Sequence, residues 1–497
     1  MKVLLVYPWF PNTFWSIREA LTLYGKSSAF PPLGLMTVAA LLPSEWELRL
    51  VDLNVRSLKQ DEIDWCDMVF LSAMHIQKDS LQEVADLAKS KGKCVVVGGP
   101  FTSCVQVHNA DHTFIGEAET TVPEFLRDLE AGTPKKVYEA PERPPLSLTP
   151  TPRFDLIDFK QYNSMSVQYS RGCPFNCEFC DIIEIYGRSP RTKSNQQMLK
   201  ELDALYEARW RGDVFIVDDN FIGNKKNVKR FLPELAAWSK ERDYPFLFMT
   251  EASVNLADDD ELLKQMRECG FLRVFVGIET PVEESLKAAQ KGQNTRRNLV
   301  GCVHKIQDYG IEVMGGFIVG FDDDPADIFE RQIDFIRESA IPLSLVSLLA
   351  AIPNTQLWRR LEREGRLINF DHSGNNTDGC SLNFVPRMDK DSLIEGYKSI
   401  LRTIYDPSEY YQRSLDCLSR VNRDGAPKVS GRLSINDVLG IFRIALTLGM
   451  RDQERSFFWR FIKQLLQEHR HKVPQGLALA ALGYHFRKLT EEYCGNV

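Results

Sequence analysis

Three cysteines fall close together, Cys173, Cys177 and Cys180, in the run Arg171-Gly172-Cys173-Pro174-Phe175-Asn176-Cys177-Glu178-Phe179-Cys180. The spacing Cys-x3-Cys-x2-Cys brings three thiolates to one side of a tight loop, and soft thiolates select iron–sulfur clusters or zinc. The next cysteine downstream is Cys269, and no histidine stands between it and Cys180 to complete a closed four-ligand zinc site. Three ligands leave one metal position open. On a cubane cluster, that open iron can bind a second molecule and pass it an electron directly. The plainer alternatives are three packing cysteines or a partial zinc site. The other cysteines are scattered, as Cys94 is ahead of Val95-Val96-Val97, and read as reduced packing residues.

Such a loop needs a scaffold, and the hydrophobic pattern supplies one. Lys2 to Tyr7, Glu47 to Asp52, Met68 to Ser72, Lys93 to Val97 and Thr113 to Ile115 read as strands separated by helical segments such as Leu33 to Leu42 and Leu81 to Lys91. That alternation predicts an α/β, doubly wound, Rossmann-like domain over residues 1–132. Prolines 134, 141, 144, 145, 150 and 152 crowd the next stretch, which disfavours both helix and central strand and predicts a linker over 133–160. Six further strand-like runs follow, Met165 to Ser170, Val214 to Asp218, Phe246 to Ala252, Arg273 to Glu279, Val313 to Val319 and Leu343 to Leu349. Amphipathic helices such as Met198 to Trp210 and Val228 to Lys240 separate them. Six units are too few for the eight-fold closed barrel, so a partial (β/α)6 barrel is expected over 161–382, with function at the C-terminal strand ends. The cysteines follow its first strand, at that end. Residues 383–497 are mostly helical in pattern, with Tyr397, Ile400, Leu401, Ile404 and Tyr405 at helical spacing, aromatic positions that read first as core.

The chain of 497 residues, 43% hydrophobic and 26% charged, has the composition of an ordinary globular protein. Its formal net charge of −7 offers no bulk attraction to nucleic acid. Val3-Leu4-Leu5-Val6-Tyr7 is broken by Pro8, too short for a signal-peptide core. No run approaches the roughly 18 apolar residues that span a bilayer. A cytoplasmic location is expected, with peripheral contact at the inner membrane open.

The cysteine spacing resembles the signature of the radical SAM superfamily. That resemblance implies a 4Fe-4S cluster on Cys173, Cys177 and Cys180, S-adenosylmethionine (SAM) on the open iron, and Phe179 against the adenine. Asp219 and Asn220, after the second barrel strand, stand where the family binds the SAM amino group, although its usual motif there is glycine-rich with a glutamate. Glu251 ends the third strand, where ribose ligands occur. Gly277, Glu279 and Gly320 end the next two, and glycine permits close backbone approach. Singly, each has an ordinary explanation as a helix cap or a turn. Their joint order along the chain is what matches.

The first domain is similar to the cobalamin-binding domains that precede such barrels. The resemblance assigns a cobalamin pocket to Ser72 after the third strand, Gly98, Gly99 and Pro100 after the fourth, and Gly116 and Glu117 after the fifth. Phe30-Pro31-Pro32-Leu33-Gly34-Leu35 matches the opening of the first helix in many of these proteins. The loop Pro8-Trp9-Phe10-Pro11-Asn12 lacks the Asp-x-His-x-x-Gly motif whose histidine ligates cobalt in the wider fold. His75 is the one histidine expected near the pocket, and a lone histidine at a strand end is more often exposed or capping.

The whole chain resembles the subgroup containing the bacterial hopanoid C-2 methylases. It implies a radical C-methyltransferase acting on an unactivated carbon of a hopanoid-type lipid or another small molecule, with cobalamin relaying the methyl group. Flavodoxin or ferredoxin is the implied electron donor, and a lipid acceptor implies transient membrane contact. A ring-forming oxidase with the same cofactors is the alternative. So is a non-enzymatic iron–sulfur or cobalamin protein, although an electron carrier tends to have all four cluster positions ligated. A tRNA methylthiolase fits poorly, because Cys66, Cys94 and Cys104 are too dispersed for a second cluster site and no basic RNA-binding tail follows the barrel.

Overall fold

A computed structural model describes residues 1–140, 142–368, 381–427 and 435–495. The first six strands are β1 (Lys2–Tyr7), β2 (Glu47–Asp52), β3 (Met68–Ser72), β4 (Cys94–Gly98), β5 (His112–Ile115) and β6 (Val137–Glu139). They form one parallel sheet in the order β2-β1-β3-β4-β5-β6. Buried on both faces, β1, β3 and β4 are near-continuous apolar runs. Leu4 and Val6 enter one core with Val69, Leu71, Val95 and Val97, while Val3 and Leu5 enter the opposite core with Phe70 and Val96.

Part of the segment expected to be linker belongs to this sheet. β6 pairs with β5, and its single buried residue, Tyr138, packs on Phe114 and Phe125 with ring centroids 5.5 Å apart in each case. The Tyr138 hydroxyl donates to Asp128 Oδ2 at 3.1 Å. An edge strand with one anchoring side chain carries no periodic signal, and edge position is where proline-rich flanks are tolerated.

The second sheet holds β7 (Met165–Val167), β10 (Gly212–Ile216), β11 (Phe246–Ala252), β12 (Phe271–Glu279), β13 (Glu312–Val319) and β14 (Ser344–Leu348), parallel and in chain order. Its two edges, β7 and β14, do not pair, so the barrel is partial as expected. The first barrel strand is shorter than the sequence suggested. The chain turns after Val167, and Ser170–Arg171 (β8) pairs antiparallel with Arg191–Thr192 (β9), closing off the loop that carries the cysteines. Helices Asn195–Glu207, Lys225–Glu241, Asp260–Cys269 and Leu299–Asp308 cover the outer face, each begun by a side-chain cap from Ser194, Asn224, Asp259 or Asn298. The inner face is less covered. In β11, Phe246, Phe248, Thr250 and Ala252 are buried under helices while Leu247, Met249 and Glu251 are only half-buried. Phe275 and Gly277 of β12 repeat the pattern, so these residues line a hollow inside the curled sheet.

The segment after β1 leaves the first sheet and runs to the other two units. Trp15 lies against Phe275 (5.1 Å) and Phe30 against Phe215 (5.1 Å), both on the inner face of the second sheet. Between them, Phe14 packs among Tyr405, Phe486 and Tyr493 of the C-terminal helices at 6.2, 5.6 and 6.0 Å. Helix Arg18–Tyr24 rests on helices Ile435–Leu446 and Val473–Tyr493. Buried His485 donates from Nε2 to the Thr13 carbonyl at 2.9 Å, and burial pulls its pKa down to about 4, so it stays neutral. No helix among the described residues is long and apolar enough to cross a membrane. Phe14→Ala is expected to cost about 3–5 kcal/mol, the range for emptying a buried aromatic site. Urea unfolding followed by tryptophan fluorescence measures it, and a loss below about 1 kcal/mol would show that this segment does not stitch the units together.

Candidate cofactor and active site

The β8–β9 pair fixes the base of the cysteine loop. Gly172 sits at φ +95°, and a Cβ there would lie 2.8 Å from the Gly187 carbonyl, so only glycine fits the turn into Cys173. Cys173 N–H donates to that same carbonyl at 3.1 Å. The far side of the loop is tied down through Glu178, whose N–H donates to Ala289 O (3.0 Å) and whose carbonyl accepts from Leu357 N–H (2.8 Å). Its carboxylate meets Arg360 at 2.8 Å, and Arg360 continues to Asp322 at 2.7 Å. Cys173 Sγ accepts from Asn220 Nδ2 at 3.7 Å and Cys177 Sγ from Gln293 Nε2 at 3.6 Å. All three thiols are free, and burial pushes Cys173 and Cys180 up, so ionised sulfurs here require a compensating cation. Among the described residues no three His, Cys, Asp or Glu side chains converge on one metal ion. A cubane does not demand that, because each thiolate binds a different iron. Three thiols on one anchored loop, with no fourth protein ligand beside them, fit a cluster with one open corner.

Beside the loop, at the ends of β10 and β11, lie three carboxylates. Asp218 is spent structurally: it accepts from Tyr169 N–H (2.7 Å) and Ser170 Oγ (2.6 Å), holding the β7–β8 turn. Burial still pushes its pKa up to about 6. Asp219 accepts from the Gly172 N–H, yet its Oδ2 is buried without a partner. Burial, then Asp218, push it up to about 7. Glu251 is pushed up to about 8 by burial and then by Asp219 and Asp218. An orphaned carboxylate oxygen and two raised pKa values describe a place that a cationic group would relieve. Asn220, by contrast, is engaged in bridging Cys173 to Ser253, 3.2 Å from its Oγ.

Across the mouth, Phe179 is buried with Phe321 at 6.0 Å and Lys291 over its ring at 5.8 Å. Lys291 pairs with Glu279 at 2.5 Å. Burial works against its charge, but Glu279, Cys177 and Cys180 outweigh that and hold it protonated. Gly277 leaves the room Glu279 and Lys291 occupy, since a Cβ there would meet both side chains. Gly320 is explained by its turn: its N–H donates to Asp324 Oδ2 at 2.8 Å and a Cβ would meet Leu393 at 3.1 Å. Lys291 and Gln293 were not foreseen, because they lie in an irregular connection, where a lysine and a glutamine carry no sequence signal.

The second candidate site is a cavity of about 530 Å³ between the first domain and the cysteine loop. Gly99, Pro100, Gly116 and Glu117 line it, together with Cys104, Ala140, Tyr186 and Asn354. Gly99, at φ +93°, has Ser72 Oγ and the Ala73 carbonyl so close that a Cβ would lie 2.6 and 2.9 Å from them. Ser72 thus stands behind Gly99 rather than on the wall. Gly98 backs onto Phe114 and is likewise not on the wall. Nor is His75, whose ring meets the edge of Phe101 at 5.4 Å. Glu117 needs a further correction. Its two oxygens are taken by Arg171 (2.5 Å) and Arg191 (2.6 Å), while neighbouring Glu119 meets Arg171 at 2.8 Å.

Comparison with known proteins assigns the two regions to different domain families. The model of the radical SAM superfamily matches residues 167–336, that of the B12 binding domain residues 27–126, and a domain of unknown function (DUF4070) residues 355–497. An uncharacterized methyltransferase of Synechocystis sp. is 44% identical over 99% of this chain and 92% of its own. The hopanoid C-2 methylase of Rhodopseudomonas palustris is 35% identical over 93% of this chain and 88% of its own. The chain belongs to the cobalamin-binding radical SAM methyltransferases. Its fold is also that of the cobalamin-dependent SAM radical enzyme OxsB, solved with aqua-cobalamin and SAM, at TM-score 0.61 and 18% identity over 100% of this chain and 81% of the other. The cofactors of this methyltransferase are accordingly a 4Fe-4S cluster, SAM and cobalamin.

The Glu117, Glu119, Arg171 and Arg191 network therefore joins the B12 binding domain to the residue two before Cys173. Burial alone would raise Glu119, but the Arg171 charge and hydrogen bonds from Arg171 and Thr149 hold it below the usual carboxylate range. Removing one partner of a buried pair leaves the other's charge uncompensated, at about 3–5 kcal/mol. Arg171→Gln is expected to destabilise by about 3 kcal/mol, Arg191 still covering Glu117. Thermal unfolding measures it, and an unchanged melt would mean that water already screens the network.

Proposed function

We propose that this methyltransferase methylates an unactivated ring carbon of a hopanoid-type lipid. The observation that carries the proposal is the inner face of the second sheet, where half-buried Met249 and Phe275, with Trp15 lying 5.1 Å from Phe275, make an apolar stretch that leads to Glu251. A hydrocarbon skeleton gains by filling such a space, whereas a polar acceptor would leave its groups unpaired there. Deeper in the sheet Arg273 is matched with Glu312 at 2.9 Å. Likeness to the hopanoid C-2 methylase of Rhodopseudomonas palustris over nearly the whole chain supports the same acceptor class.

In this reading Cys173, Cys177 and Cys180 hold the cluster. Asp219 and Glu251 face the positive charges of SAM, Phe179, Gly277 and Glu279 border it, and Asn220 positions Cys173. Gly99, Pro100 and Gly116 form the cobalamin wall, with Glu117 as its anchor to the barrel. When bound, the cluster and SAM supply hydrogen abstraction from the acceptor carbon and cobalamin supplies the methyl group. The chain's own work is to orient these partners and keep water from the carbon centre. No side chain need act as acid or base. A flavodoxin or ferredoxin delivers the electron in the cytoplasm, and the lipid acceptor brings the enzyme to a membrane.

Reconstituted protein with dithionite, SAM, cobalamin and a hopanoid acceptor should form 5′-deoxyadenosine and S-adenosylhomocysteine together, and expression in a hopanoid-making host should yield a methylated hopanoid. Cys177→Ala should abolish 5′-deoxyadenosine. Deoxyadenosine without S-adenosylhomocysteine would favour the ring-forming oxidase, and both products without a methylated hopanoid would move the acceptor to another molecule.

The raised carboxylates generate a separate expectation. With folded pKa values near 7 and 8, Asp219 and Glu251 are substantially protonated at pH 7, and a cationic ligand favours their ionised forms. SAM binding at pH 7 should therefore release protons. Calorimetry in two buffers of different ionisation enthalpy reads the number released, which Glu251→Gln should reduce. Proton uptake would place the ligand's positive charge elsewhere.

A further inference from the structure

The C-terminal helices expose an apolar surface that neither the cofactor sites nor the hollow accounts for. Helix Ile435–Leu446 runs on through a wider turn, Thr447–Arg451. Along it Val438, Phe442, Leu446 and Met450 recur every four residues, on one face. Phe442 is 62% exposed and Met450 67% exposed, with Val438, Leu439 and Ile441 beside them also exposed. Trp459, 49% exposed, joins the stripe from helix Arg455–Glu468, because its Nε1 donates to the Gly449 carbonyl at 2.8 Å, next to Met450. Leu466 extends the same face of that helix two turns on. Contiguous exposed apolar surface of this kind is a binding feature rather than ordinary scatter.

Its rim is basic. Arg451, Arg455, Arg460 and Lys463 are all exposed, and none makes an ion pair among the described residues. Of the acidic residues nearest in the chain, Asp452 is tied to Arg487, Glu454 is half-buried, and Glu468 lies at the far end of the helix. In a chain with net charge −7, four unpaired cations around an apolar stripe that includes a tryptophan are a local reversal of sign.

We propose that this face docks on an anionic lipid bilayer, with Phe442, Met450 and Trp459 entering the interface and Arg451, Arg455, Arg460 and Lys463 meeting lipid headgroups. Apolar insertion plus electrostatic attraction is how interfacial helices hold a membrane, and tryptophan belongs at that depth. A protein partner or a second copy would be served by the apolar stripe alone, and its rim of like-charged cations would repel an identical face. The docking face also stands behind helix Arg18–Tyr24, whose flanking Trp15 and Phe30 line the barrel hollow. This inference rests on the surface itself and stands whichever small molecule is methylated.

The test uses the full chain and sedimentation with vesicles of equal parts phosphatidylglycerol and phosphatidylcholine, against vesicles of phosphatidylcholine alone. The wild type should bind the anionic vesicles, and less so as salt rises. Phe442→Ser with Met450→Ser should weaken binding about tenfold or more. Arg455→Gln with Arg460→Gln and Lys463→Gln should weaken it about fivefold per cation removed. All should melt as the wild type does and keep deoxyadenosine formation in solution, which separates this proposal from the catalytic one. Wild type left unbound by anionic vesicles would overturn it, as would binding that neither variant weakens. A concentration-dependent dimer dispersed by Phe442→Ser with Met450→Ser, without vesicle binding, would assign the face to a second copy instead.

Discussion

A buried four-charge network holds this molecule's two cofactor regions in register. Glu117 stands at the N-cap and Glu119 in the first turn of the helix after β5 (Ala118–Glu130), and Arg171 and Arg191 come from the two strands that close the cysteine loop. Burying four charges is costly unless each is closely paired, so the network tolerates one relative placement of the two domains and penalises others. Hydrophobic contact between the domains has no such selectivity. Chain continuity makes the placement matter, since Arg171 is followed by Gly172, whose positive φ and N–H set the positions of Cys173 and Asp219. The cavity proposed for cobalamin sits on the other side of Glu117. One set of ion pairs thus determines where that cavity stands relative to the cysteine loop.

The electrostatics of the active-site mouth divide in the same economical way. On the β10 and β11 side the carboxylates are buried and clustered, and burial first, then their mutual repulsion, raises Asp219 and Glu251. On the β12 side Lys291 is held charged, by Glu279 and by the thiols Cys177 and Cys180. The two sides are complementary to a ligand that carries both signs of charge, as SAM does with its sulfonium and amino groups and its carboxylate. Neither side needs a conformational change to present its charge. The carboxylates stand at strand ends whose outer faces are sealed by helices, and Lys291 is held in place by Glu279 at the end of β12, the arrangement that makes electrostatic preorganisation effective.

Much of this was legible in the sequence. β1, β2 and β3 begin and end at the residues the sequence indicated, β1 and β3 because strands buried on both faces announce themselves as continuous apolar runs, and β2 because its apolar residues alternate along a sheet edge. The cysteine loop was legible because three reactive residues at fixed spacing are rare. What was hidden shares a different trait. Arg171 and Glu117 are 54 residues apart, Arg191 and Glu117 are 74 apart, and a charged side chain looks solvent-exposed until its partner is known. Tyr138 was hidden among prolines, Lys291 and Gln293 in an irregular connection. The glycines Gly172, Gly99 and Gly320 all have positive φ, but the close contacts of Gly172 and Gly99 are with backbone or side-chain atoms at the sites, whereas that of Gly320 is with Leu393.

The segment from Pro8 to Phe30 explains why the C-terminal helices belong to the enzyme at all. A six-stranded partial barrel leaves its inner face open, and an open apolar face in water is unstable without cover. Here the cover is lent by the first domain, through Trp15 and Phe30, and is kept in place from behind by Phe14 and the His485 contact to Thr13. The C-terminal helices therefore act on the hollow at second hand. A change in their packing would move a wall of the hollow without touching the cysteine loop or the cavity beside Glu117. Divergence in that helical unit is then a route by which one radical machinery could be fitted to different acceptors, its two cofactor regions remaining locked together by their ion pairs.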